Sequence, residues 1–134
     1  MSEANVLVVE DDDSIRRLLV EYLRTHAFID ADVARDGVEA LHFISTRHYR
    51  VVLLDVMMPK MSGVDLLDSL AAIQSDPSLR KIDERPAVII MTAAPDAVIP
   101  TALFAERFPE LVCEVFRKPL DITELANAVE KHLH

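Results

Sequence analysis

Cysteine is nearly missing from this 134-residue chain, and the single Cys113 excludes an internal disulfide. Set in an apolar run, it reads as a small buried thiol rather than a reactive one. No apolar stretch approaches the ~20 residues needed to cross a bilayer, so membrane insertion is not expected. Met1-Ser2-Glu3-Ala4 lacks the basic start and apolar stretch of a secretory signal, so the chain is expected to begin near its mature start and to work in the cytoplasm. Positive charge is also short, with 14 Lys and Arg against 23 Asp and Glu and a net charge of -9. A phosphate backbone or anionic lipid needs a basic patch to displace its counterions, so no direct nucleic-acid contact is expected. The five histidines are scattered, two of them (His132 and His134) in the tail, so no zinc site is expected.

The chain does have apolar runs of strand length: Val6 to Val9, Val51 to Leu54, Ala87 to Met91 and Leu111 to Phe116. They are continuous rather than alternating, which suits strands covered on both faces. A weaker strand is expected over Ala31 to Ala34. Between the runs lie helical periods. Ile15, Leu18, Leu19, Tyr22 and Leu23 share one stripe of a first helix, capped by Asp13 or Ser14. A second helix starts near Asp36 and is expected to bury Val38, Leu41 and Ile44. A third runs from about Val64 with Leu67, Leu70 and Ala71 inward. A last helix, capped by Asp121 with Glu124 completing the capping box, lines Ile122, Leu125, Val129 and Leu133 along one face. Strand and helix alternate about five times, which with right-handed crossovers gives an α/β fold with a parallel sheet. The one loop-like stretch of note is Gln74 to Pro86. A single domain over residues 1–134 is expected, with no room for a second.

In such a sheet, ligands bind beyond the carboxyl ends of the strands. Those ends carry Glu10-Asp11-Asp12-Asp13, Asp55, Thr92 and Lys118-Pro119. Singly, each has a plain structural use: helix cap, strand end, turn hydroxyl, surface lysine. Together they bring acids, a hydroxyl and an ammonium to one edge. Two carboxylates about 5 Å apart repel by roughly 3 kcal/mol at an effective dielectric near 20. Three therefore call for a proton or a hard divalent cation. Magnesium prefers one or two carboxylates, water and a phosphoryl oxygen, so the edge suits phosphate chemistry.

The segments V-L-V-V-E-D-D, V-V-L-L-D-V-M-M-P-K-M-S-G, V-I-I-M-T-A and F-R-K-P-L, in this order from Val6 to Leu133, resemble the signature segments of response-regulator receiver domains. The stretch around Asp55, with Pro59 and the turn glycine Gly63, is the most diagnostic. The resemblance implies a flavodoxin-like (βα)5 fold with strand order 2-1-3-4-5, and a phosphorylation-dependent signalling switch rather than an enzyme. It implies that Asp55 accepts a phosphoryl group from a histidine kinase or histidine phosphotransfer protein. Asp11 and Asp55 would ligate Mg²⁺ (or Mn²⁺) through their side chains, Met57 through its main-chain oxygen and Glu10 through water. Thr92 and Lys118 would contact the phosphoryl oxygens. A downstream protein would read the change of surface, and homodimerisation through that surface is left open.

The sequence departs from the family pattern in three places. Val115 stands three positions before Lys118, where many receivers carry an aromatic switch residue; Phe116 beside it reads as core. The segment from Pro95 to Pro109 is long and proline-rich, so the fourth helix is expected to be short or displaced, with an unusual partner surface. Met57 and Ala94 flank the phosphate position without an acid, base or amide to orient water, so self-hydrolysis is expected to be slow. Three other readings compete with this one. The chain could be a relay intermediate between histidine proteins, or a receiver excised from a larger regulator or hybrid kinase. A Mg²⁺-dependent phosphatase with an aspartate nucleophile usually has a second acid two residues on, where this chain has Met57.

Overall fold

In a computed structural model, residues 4–56, 62–75, 86–93 and 101–133 are described. The strands are β1 (Val6–Val9), β2 (Ala31–Ala34), β3 (Val51–Asp55), β4 (Ala87–Thr92) and β5 (Val112–Arg117). The helices are α1 (Asp13–Ala27), α2 (Gly37–Thr46), α3 (Gly63–Ser75), α4 (Thr101–Arg107) and α5 (Ile122–Leu133). All strand pairs are parallel, in the order β2-β1-β3-β4-β5. This is the flavodoxin-like (βα)5 arrangement expected. The loop-like stretch from Gln74 lies mostly outside the described residues, although α3 runs on through Ser75.

The period of two along each strand divides the apolar runs between two cores. Leu7, Val9, Val52, Leu54, Val88 and Ile90 face α2, α3 and α4, where Leu66, Leu67 and Phe104 meet them. Val6, Val8, Val51, Leu53, Ile89 and Met91 face α1 and α5, against Leu19, Leu23, Leu125 and Val129. Each such buried side chain contributes about 1.5–3 kcal/mol of apolar burial, and runs without polar alternation are what a sheet covered on both sides requires.

Several packing expectations change. Leu18 is 53% exposed and Val38 54%. In their place, Arg16 shares the buried stripe of α1 with Leu19 and Leu23, and Ala40 is the deepest apolar side chain of α2. Neither Asp13 nor Ser14 caps α1. Asp12 does, its side chain accepting from the Ile15 N–H at 3.0 Å. Asp36 and Asp121 cap α2 and α5 by the same device.

Cys113 is exposed, not buried. The β4–β5 register slips between Val88, opposite Val112, and Ile89, opposite Glu114, so Cys113 is the extra residue of a bulge. Its Sγ still sits 3.4 Å from the Val88 carbonyl oxygen, and desolvation pushes the thiol up to about 11, so it is protonated at neutral pH. The bulge also explains why Val112 and Val115, three apart, pack on the same core. Phe116 packs on the opposite one, with α1 and α5, and so is a core residue. The described span of α4 has seven residues, residues 94–100 before it lying outside the described ones, and Arg107 ties it to α3 through both oxygens of Asp68 at 2.9 Å.

Candidate functional site

Strand register assembles the site. Val9 lies opposite Leu54, Asp55 opposite Met91 and Thr92 opposite Arg117. Glu10, Asp55, Thr92 and Lys118 therefore reach the same carboxyl edge within two residues of each other along the strands. The Lys118 N–H donates to the Thr92 carbonyl at 2.8 Å, which extends the β4–β5 ladder to the lysine; the Lys118–Pro119 peptide is cis.

Glu10 and Thr92 are fully buried and Asp55 is 3% exposed, whereas Asp11 is open to solvent. The Lys118 ammonium bridges two of the acids, donating to Glu10 Oε1 at 2.7 Å and Asp55 Oδ2 at 3.2 Å. Glu10 Oε2 accepts from the Asp12 N–H at 3.2 Å, and the Glu10 N–H donates to the Ala34 carbonyl at 3.1 Å. Glu10, Asp11 and Asp55 each place a carboxylate oxygen within 4.8 Å of the other two.

One lysine does not balance three acids at this spacing. Burial raises the Glu10 carboxyl to about 7; the Lys118 hydrogen bond lowers it, but the neighbouring Asp55 adds to the rise. For Lys118, burial works against the charged form, yet its contacts with Glu10 and Asp55 outweigh that and the ammonium is held above its usual range. The cluster thus stores uncompensated negative charge on hard oxygen donors and can coordinate a divalent metal.

The end of β3 and the start of α3 approach each other closely. The Gly63 N–H donates to the Val56 carbonyl at 3.2 Å, and a Cβ on Gly63 would lie 2.5 Å from Val56 Cα and 3.0 Å from the Asp55 carbonyl oxygen. Gly63 does not adopt positive φ, so it serves here by having no side chain. Ser62 caps α3 through the Asp65 N–H at 3.2 Å.

Glu10, Asp11, Asp55 and Lys118 are brought together as the sequence suggested, with Thr92 on the same edge. Met57 lies outside the described residues, as do Ala94 and Pro59. The sequence reading missed Arg16. Its Nη1 donates to the Glu10 carbonyl at 3.0 Å and its Nη2 to the Asp13 carboxylate. That contact holds Asp13 below the usual carboxylate range. The available signal was the spacing Arg16, Leu19, Leu23, which puts a cation on the apolar stripe.

The family profile described as response regulator receiver domain matches residues 6–130. The chain belongs to that family. A receiver is a phosphoryl-accepting signalling module rather than a conventional enzyme, and its partners come from two-component systems. Similarity to individual proteins agrees. Regulatory protein AtoC of Escherichia coli is 34% identical over 96% of this receiver, which spans only 25% of AtoC. Sporulation initiation phosphotransferase F of Bacillus subtilis is 31% identical over 99% of this chain and 96% of its own length. The solved receiver domain of Francisella response regulator 1452 is 30% identical at a TM-score of 0.74, covering 98% of this receiver and all of that chain. That of a LuxO repressor protein from Vibrio parahaemolyticus is 26% identical at 0.78, covering 98% and 91%. Among the described residues, no helix is long and apolar enough to cross a membrane.

Proposed function

We propose that Asp55 is the phosphoacceptor and that the receiver uses Mg²⁺, or Mn²⁺ in its place. The observation that carries this is the meeting of Glu10, Asp11 and Asp55 within 4.8 Å beside the Lys118 ammonium. Asp11 and Asp55 would hold the ion by side-chain oxygens, with Met57 expected to add its main-chain oxygen and Glu10 to act through water; when bound, the ion would supply charge neutralisation for phosphoryl transfer.

The donor is a phosphohistidine on a histidine kinase or histidine phosphotransfer protein. A carboxylate oxygen of Asp55 attacks phosphorus, the P–N bond breaks, and the imidazole leaves with the electron pair and takes up a proton. Lys118 then turns from the Asp55 carboxylate to the phosphoryl oxygens, and the Thr92 hydroxyl donates to one of them. A downstream protein reads the altered surface.

A second reading rests on near full-length similarity to sporulation initiation phosphotransferase F. It is a relay that returns phosphate to another histidine protein; retransfer without any change in partner binding distinguishes it. The direct test is incubation with a small-molecule phosphodonor and Mg²⁺, followed by intact mass. Wild type is expected to gain one phosphate and Asp55→Asn none; a gain in both would remove Asp55 from the role.

A further inference from the structure

Arg16 is the one basic residue among the buried polar residues described, at 7% exposure, and the phosphoryl-transfer scheme gives it no part. A guanidinium on an apolar helical stripe is costly unless its donors are used. Here they are used on the acidic loop itself, one arm on the Glu10 carbonyl and the other on the Asp13 carboxylate. These bonds bracket Asp11, the exposed acid of the metal cluster, from both sides.

The rest of Glu10 is also anchored: its N–H to Ala34, one carboxylate oxygen to the Asp12 N–H and the other to Lys118. From the body of α1, the Arg16 side chain reaches this loop at two points, in addition to the Asp12 cap. We infer that Arg16 is a positioning residue that sets the Glu10–Asp13 loop in the conformation that receives the divalent ion. This rests on the reading of Glu10, Asp11 and Asp55 as the metal site.

Two effects of Arg16 have opposite signs, which makes the inference testable. A cation near the site repels an incoming divalent ion, so deleting its charge alone would tighten binding. Loss of loop positioning weakens binding, and removing an outer partner of a metal ligand typically costs about 10–100-fold in affinity. The experiment is Mn²⁺ titration of the metal-free full chain, followed by the electron paramagnetic resonance signal of the free ion, with thermal unfolding in chelator run in parallel. Arg16→Met is expected to bind Mn²⁺ about tenfold more weakly than wild type. Arg16→Lys keeps the charge but cannot serve both partners, and is expected to fall between them. Unchanged or tighter binding by Arg16→Met overturns the inference. If Arg16→Met does not fold, Arg16→Lys decides, and wild-type affinity there overturns it. Asp11→Asn tests the underlying site separately: if it binds Mn²⁺ as wild type does, the metal site itself is misassigned and the inference falls with it.

Discussion

Glu10 has no solvent exposure, yet its carboxyl is raised only to about 7, because the Lys118 ammonium partly offsets its burial. In the unfolded chain it returns to the ordinary value of 4.5. A raised folded-state value means that the native protein holds this proton more tightly. The resulting stability is fully present below pH 4.5 and is lost as pH rises through 7. The span corresponds to about 3 kcal/mol at most. In metal-free buffer, wild type should therefore lose stability relative to Glu10→Gln between pH 4.5 and 7. Urea unfolding of both proteins at several pH values checks this, and a constant difference would contradict the burial of a titrating Glu10.

Between elements, the tightest tolerance is where α3 begins against the end of β3. Gly63→Ala must drive Val56 and the Asp55 carbonyl aside, since a Cβ there stands 2.5 Å from backbone. Overpacking of this kind costs about 1–3 kcal/mol. It should also slow acceptance of phosphate by displacing Asp55, measured as the rate of mass gain with a small phosphodonor. Elsewhere Asp121→Ala, which removes the α5 cap at the Glu124 N–H, should cost about 1 kcal/mol and leave that rate unchanged. Strands were legible because uninterrupted Val, Ile and Leu runs have few other uses in a chain of this size. The site was legible because its acids and lysine directly follow those runs. Side-chain burial on helices was less so: a 3.6-residue period fixes a face only to within one position, which let Arg16 and Ala40 displace Leu18 and Val38. The bulge at Cys113 left no mark in the sequence, because an inserted residue in an apolar strand looks like one more member of the run.

For the molecule as a whole, the question is whether modifying one carboxylate can shift the population of states. Hydrogen bonds to charged groups contribute about 1.5–3 kcal/mol each, so Thr92 and Lys118 could supply about 3–6. A swing from 1:99 to 99:1 takes about 5.5 kcal/mol. Lys118, however, already donates to Glu10 and Asp55, so at that residue phosphorylation exchanges contacts rather than adding them. The sum is then an upper bound, and a partial shift is the expected outcome. Binding of Mg²⁺ to the native chain alone should raise the melting temperature, by about 2.7 kcal/mol of stability at a hundred times its dissociation constant. Calorimetry with and without Mg²⁺ should show this for wild type and not for Asp11→Asn.

The double grip of Lys118 also bears on how the protein survives without salt. With an ammonium lodged between two acids, the chain carries a built-in plug that stands in for part of the ion's charge. Lys118→Met pulls that plug. Such a protein should hold the Glu10 proton to a higher pH than wild type does, since the ammonium was what lowered that carboxyl, and its stability in chelator should fall away only as the pH rises past that point.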